Sequence, residues 1–217
     1  MTSHGTLPHG LYLVTPDWDD TARLLQAVEA ALVGHPAMLQ YRNKTADAPR
    51  RLAQALGLRA ACRQAGVPFI VNDDLELALH VDADGVHLGR DDGALDAARA
   101  RLGPGRILGV TCYNELARAG EAVGLGADYV AFGAMYPSPT KPQAVAATPA
   151  LLSAARAQFG VPVAAIGGIT LDNAAPLIAA GADLLAVVSD VFMAADVTAR
   201  AAAYRALFDA TRPPQSP

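Results

Sequence analysis

The chain of 217 residues lacks several features that would point its chemistry elsewhere. Its two cysteines, Cys62 and Cys112, stand far apart in unrelated contexts, which excludes a disulfide framework and a metal-type Cys pair. No apolar run approaches the roughly 20 residues of a bilayer span, so no membrane partner is expected. Met1–Pro8 has neither the basic nor the apolar region of a signal peptide, and a cytoplasmic location is expected. The net charge is −4 with no basic stripe interleaved with aromatics, so no nucleic-acid partner is expected. Aromatics are few, and Ala, Leu, Val and Gly dominate, as in compact α/β proteins. Lysine is scarcest of the charged residues: Lys44 and Lys141 stand against fifteen arginines.

What is present is a strict alternation. Apolar runs read as strands at Leu11–Thr15, Ala37–Arg42, Phe69–Asn72, Gly85–Leu88, Ile107–Cys112, Tyr129–Gly133, Val161–Ile166 and Leu184–Ser189. Each is followed by a stretch of helical periodicity, with Gly34 and Gly66 suited to C-terminal caps. The strands are apolar throughout rather than alternating, as strands buried on both faces require. Eight strand–helix pairs are the count of an α/β fold of one kind, a single (β/α)8 TIM barrel. It is expected to span 1–211 as one domain, with a disordered tail at 212–217. The runner-up, a doubly wound open sheet, lacks a Gly-x-Gly-x-x-Gly after the first strand. Asp82-Ala-Asp-Gly-Val, Gly126-Ala-Asp-Tyr-Val and Gly181-Ala-Asp-Leu-Leu each mark a helix handing over to a strand. Asp84, Asp128 and Asp183 therefore read as structural joints.

In such a barrel the chemistry belongs at the C-terminal ends of the strands. The second strand ends in Gln40-Tyr-Arg-Asn-Lys44, where period two would put Gln40, Arg42 and Lys44 on one side if extended geometry lasts that far. The third ends in Asn72-Asp73-Asp74, the fourth in His87-Leu-Gly-Arg-Asp-Asp92 and the fifth in Thr111. The sixth runs into a Pro-rich loop carrying Ser138, Thr140 and Lys141. The seventh ends in Gly167-Gly168, the eighth in Ser189-Asp190, and the first offers only Thr15. Carboxylates thus gather after strands three and four. Glycines and small hydroxyls follow seven and eight, where this fold usually holds phosphate. Asp73 and Asp92 read as a Mg²⁺ site, since that ion takes one or two carboxylates and fills its other positions with water and phosphate oxygens. Asp73 reads equally well as the cap of the helix from Leu75. His87, inside an apolar run, reads as a hydrogen-bonded core histidine.

In this order and at these strand ends, the chain resembles thiamine phosphate synthase along nearly its whole length. The match rests on Gln40-x-Arg-x-Lys44, Asn72-Asp73, Asp84-Gly-Val-His-Leu-Gly89 with Asp92, Ser138-Pro-Thr-Lys141, Ile166-Gly-Gly-Ile169 and Val188-Ser189. The resemblance implies a barrel that joins 4-amino-2-methyl-5-(hydroxymethyl)pyrimidine diphosphate to 4-methyl-5-(2-hydroxyethyl)thiazole phosphate with Mg²⁺. The products would be thiamine phosphate and diphosphate. It further implies that Arg42, Lys44, Lys141 and the metal at Asp73 and Asp92 hold the diphosphate as it leaves. Gln40 and Asn72 would orient the pyrimidine diphosphate, with Thr111 nearby. Ser138, Thr140 and the backbone at Gly167, Gly168, Val188 and Ser189 would hold the thiazole phosphate. The loop from about Pro137 to Ala147 would close as a lid. Arg90 stands where the family often has Gln, and Ser138 where Thr is more usual. The partners are the two small substrates, and homo-oligomerisation is left open. The alternatives are a tautomerase-type paralogue, which needs the phosphate cup but not the carboxylates, and a non-catalytic sensor of thiamine precursors.

Overall fold

Every residue of the first strand, β1 (Gly10–Val14), is buried, and the same holds for β2 (Met38–Tyr41), β4 (Gly85–Leu88), β6 (Tyr129–Phe132) and β8 (Leu184–Val187). With β3 (Phe69–Asn72), β5 (Ile107–Tyr113) and β7 (Val163–Ile166), they pair in parallel in sequence order, and β8 pairs back onto β1. The structure, a computed structural model, describes residues 7, 9–137 and 145–211. The expected tail at 212–217 lies outside them, as do Ser138, Thr140 and Lys141. The sheet is a closed (β/α)8 barrel, as the sequence reading expects.

Burial on both faces comes from two cores. Leu11, Leu13, Leu39, Tyr41, Phe69 and Val71 point outward into a ring of helices. Tyr12, Val14, Met38, Ile70, Tyr129, Ala131, Ala164, Leu184 and Ala186 fill the barrel itself. Strand periodicity keeps Gln40, Asn72, His87 and Thr111 in step with these inward residues. The helices are α1 (Thr21–Leu32), α2 (Ala48–Ala65), α3 (Leu75–His80), α4 (Leu95–Leu102), α5 (Leu116–Gly124), α6 (Pro149–Gln158), α7 (Leu171–Ala179), α8 (Ser189–Phe192) and α9 (Val197–Thr211). Helix α1 starts at Thr21, because the Asp20 carboxylate accepts the Arg23 N–H and caps it. Trp18, just before it, packs edge-on against Phe192.

The three aspartates at the helix-to-strand joints behave alike at the N-terminal end of the barrel. Asp84 accepts the N–H of Phe69, Asp128 that of Leu108 and Asp183 that of Val163, so each takes a donor at the start of the preceding strand. Each is also paired with an arginine from the helix before that strand: Arg59, Arg99 and Arg156 respectively. These are structural clamps, and they leave the opposite end of the barrel for chemistry.

Candidate active site

Strand β2 stops at Tyr41, so Arg42 and Lys44 are not held by continued strand geometry. A different device places them. Thr15, fully buried just past β1, accepts the Arg42 N–H and donates to the Arg42 carbonyl, both at 2.9 Å. Asp17 then accepts from Arg42 Nη1 at 2.7 Å and from the Lys44 backbone N–H at 2.8 Å. The end of β1 therefore contributes more than Thr15. Asp17 escaped the sequence reading because it lies beyond Pro16, and only strand pairing brings it to Arg42. Asn43 turns away, bonding to Gln54 and the Trp18 carbonyl.

Of the two readings of Asp73, the helix cap falls to its neighbour. Asp74 caps α3 by accepting the Leu77 N–H at 2.9 Å, and it also pairs with Arg51. Asp73, in the left-handed region at φ 63°, is released from capping and lies 3.4 Å from Lys44 Nζ. Asp92 comes in from the loop after β4, held by the Gly89 N–H at 2.6 Å. Its carboxyl is raised above the usual carboxylate range by burial and by the Asp73 carboxylate beside it, with Gly89 and Lys44 opposing the rise. Two adjoining carboxylates, one resisting ionisation, form a site whose strain a divalent cation relieves. Among the described residues no group of three or more His, Cys, Asp or Glu could hold a metal. Two carboxylates suit an ion such as Mg²⁺ that draws its other ligands from water and substrate oxygens. Asp91 is exposed. Arg90 points away to Glu115 at 2.5 Å and lies over the Tyr113 ring.

Across the mouth, Gly167 and Gly168 both have positive φ, at 104° and 61°. A side chain on Gly168 would strike Pro137 and Tyr136, and one on Gly167 would strike Ala134. The glycines thus let the start of the β6 loop lie directly on the β7 turn. Asn173 fixes that turn, donating to the Gly168 carbonyl and accepting the Thr170 N–H. On either side of residues 138–144, the backbone is stitched by Ala134–Val145 and Ala147–Ala134 bonds. Ser189, read as the end of β8, instead begins the short helix α8, beside Val188, which packs on the barrel interior. Asp190 is taken up by Tyr204 and Arg200 of α9.

Beneath the mouth, Gln40, Tyr12, Tyr129, His87 and Thr111 form a continuous buried set of hydrogen bonds. His87 is a hydrogen-bonded core histidine, as its apolar run suggests. The two tyrosines were not singled out in the sequence, since nothing but barrel closure brings β1 to β6. A hollow of about 750 Å³ lies at the other end of the barrel among Arg59, Arg63, Asp82, Asp84 and Arg106. It is walled partly by the joint aspartate Asp84 and its arginine, and none of the described site residues lines it.

Known proteins resemble the chain along nearly its whole length. The family profile described as thiamine monophosphate synthase matches residues 11–191. A thiamine-phosphate synthase of Aromatoleum aromaticum is 68% identical over 201 residues, covering 93% of this chain and 97% of that one. One from Azoarcus sp. is 64% identical over 199 residues, covering 92% and 97%. The solved thiamine phosphate pyrophosphorylase from Pyrococcus furiosus superposes with a TM-score of 0.83 at 32% identity, covering 94% of this chain and 97% of that one.

Proposed function

The chain belongs to the thiamine monophosphate synthase family and is a transferase with thiamine-phosphate synthase activity, and from that premise we propose how its residues divide the work. The observation that carries the proposal is the convergence of Lys44, Asp73 and Asp92 at one end of the barrel, with Arg42 on the adjoining strand end. Arg42, Lys44 and Lys141 hold the diphosphate of 4-amino-2-methyl-5-(hydroxymethyl)pyrimidine diphosphate. Asp73 and Asp92 hold Mg²⁺, which when bound supplies charge neutralisation to the phosphate oxygens. The two substrates bring roughly five negative charges, and the cationic side chains with the metal bring a comparable positive total. Asp17 lowers that total by one and in return fixes the direction of Arg42.

The pyrimidine methylene–oxygen bond breaks heterolytically, the ring delocalising the cation while Arg42, Lys44 and Lys141 stabilise the departing diphosphate. The thiazole nitrogen of 4-methyl-5-(2-hydroxyethyl)thiazole phosphate then attacks the methylene. No protein nucleophile or strong base is required, so catalysis is charge stabilisation and the positioning of two rings. Gln40, Asn72 and Thr111 orient the first substrate. Ser138, Thr140 and the backbone at Gly167, Gly168, Val188 and Ser189 hold the phosphate of the second. Both substrates are small molecules. No helix among the described residues is long and apolar enough to cross a membrane, and we place the reaction in the cytoplasm.

A tautomerase-type paralogue would have no use for the Asp73–Asp92 pair facing Lys44, and a precursor sensor would turn nothing over. Incubation with both precursors, followed by chromatography of thiamine phosphate, tests the proposal. Product should form with Mg²⁺ and cease on chelation. Turnover indifferent to chelation would defeat the metal assignment.

A further inference from the structure

Five side chains from five strands form a file across the barrel beneath the mouth. Gln40 Nε2 donates to the Tyr12 hydroxyl at 2.6 Å. The Tyr12 and Tyr129 hydroxyls are 2.6 Å apart. Tyr129 Oη lies 2.8 Å from His87 Nδ1, and His87 Nε2 lies 2.7 Å from Thr111 Oγ1. Packing allows little freedom. His87 stacks on the Tyr129 ring at 5.5 Å, Tyr12 meets that ring edge-on at 5.7 Å, and any side chain on Gly109 would overlap it. Burial pushes both phenols well above their ordinary range, so neither tyrosine carries charge.

We propose that this file is one-way, and that Tyr12, Tyr129 and His87 are positioning residues which present the Gln40 carbonyl as an acceptor and the Thr111 hydroxyl as a donor to the pyrimidine diphosphate. Each hydroxyl has one proton to place, and the placement propagates. The Tyr12 oxygen already accepts from Gln40, and among the described residues the acceptor for its own proton is Tyr129. Tyr129 must then donate to His87 Nδ1, which puts the imidazole proton on Nε2. Nε2–H donates to Thr111 Oγ1, and the Thr111 proton is left for whatever occupies the mouth. In the opposite sense Tyr129 donates to Tyr12, and the fully buried Tyr12 proton lacks an acceptor among the described residues. The remedy would be a turned Gln40 amide, which would offer its NH₂ to the mouth. The tautomer of His87 and the face that Gln40 shows the ligand are therefore one variable. A ring bearing an exocyclic amine, attached to a diphosphate, needs an acceptor and a donor in these two places.

The inference rests on the synthase reading for what Gln40 and Thr111 touch, but its direction can be read in the free protein. Nitrogen NMR of protein labelled with ¹⁵N-histidine, with His87 assigned among the five histidines by its loss in His87→Gln, reports which ring nitrogen bears the proton. A protonated Nε2 with a bare Nδ1 is expected. A protonated Nδ1 overturns the proposal, whatever the enzyme's activity. A wild-type protein with no synthase turnover but this tautomer would defeat the functional reading and uphold the direction.

Tyr129→Phe keeps the ring and removes both of its bonds. His87 should become a mixture of tautomers and kcat should fall about tenfold or more, with KM for the thiazole phosphate unchanged. The double variant with Thr111→Val should lose no more than Thr111→Val alone. Wild-type kcat with unshifted His87 nitrogens overturns the proposal. If Tyr129→Phe does not fold, Tyr12→Phe gives a second cut. His87 should then keep its Nε2 proton, while the released Gln40 raises KM for the pyrimidine diphosphate. An unchanged KM there would also overturn the proposal.

Discussion

Replacing Asp92 by asparagine should make the metal-free protein more stable while removing its response to Mg²⁺. Asp92 sits beside Asp73, and its carboxyl is raised by burial and by that neighbour. At neutral pH the folded protein holds two carboxylates together at a cost the unfolded chain does not bear. Asparagine keeps the acceptor for the Gly89 N–H and offers Asp73 a donor in place of a like charge. Both groups are part-exposed, so the gain is of the order of a surface charge pair, about 1 kcal/mol, or about 2–4 °C for a domain of this size. The sign with pH follows from the raised value. Asp92 contributes stability in its protonated form, present below the ordinary aspartate range and lost as pH rises through the raised value. The advantage of the variant in chelator should therefore grow from about pH 4 towards pH 7. In Mg²⁺ at a hundred times its dissociation constant, the wild type should gain about 2.7 kcal/mol and the variant almost nothing. Differential scanning fluorimetry in chelator and in Mg²⁺ measures all of this, with exposed Asp91→Asn as the control. An Asp92→Asn protein with lower stability in chelator and a full Mg²⁺ shift would refute the reasoning.

Lys141→Ala should lower turnover by orders of magnitude with the circular dichroism of the wild type, because it removes charge from the leaving diphosphate; an unchanged rate would remove Lys141 from the site. Asp17→Ala frees the Arg42 guanidinium and the Lys44 backbone, and should cost on the order of tenfold in kcat/KM for the pyrimidine diphosphate, measured by steady-state kinetics. Asp128→Ala leaves the Leu108 N–H without its acceptor beneath a clamp whose carboxylate is only 11% exposed, while Arg99 keeps its bonds to the Gly103, Arg106 and Gly126 carbonyls. It should cost about 1–3 kcal/mol in urea unfolding.

The barrel was legible because parallel strands buried on both faces announce themselves as short apolar runs, and the joint aspartates recur in near-identical words. The carboxylates at Asp73 and Asp92 were legible as residues, but which of Asp73 and Asp74 caps α3 was not. It turned on which of two adjacent aspartates faces the helix, and only the backbone at Asp73 and the bond from Asp74 to Leu77 decide that. Asp17 and the Tyr12–Tyr129 pair were hidden for another reason. Sequence parity tells that a strand residue faces inward, but not which inward residue of another strand stands opposite. Barrel closure sets that pairing, through registers such as Tyr12 with Met38 and Gly109 with Tyr129. Helix α8 was absorbed into the end of β8, since four residues are too few to show a helical period.

The most direct test of the central claim follows an oxygen isotope placed in the bridge between the pyrimidine methylene and the diphosphate. If the bond parts within a pool of positive charge before the thiazole attacks, recovered substrate should show the label redistributed into non-bridging positions. That redistribution should require Mg²⁺ and vanish in Lys141→Ala. Thiamine phosphate formed at full rate, with the label in recovered substrate still wholly in the bridge, would contradict the account.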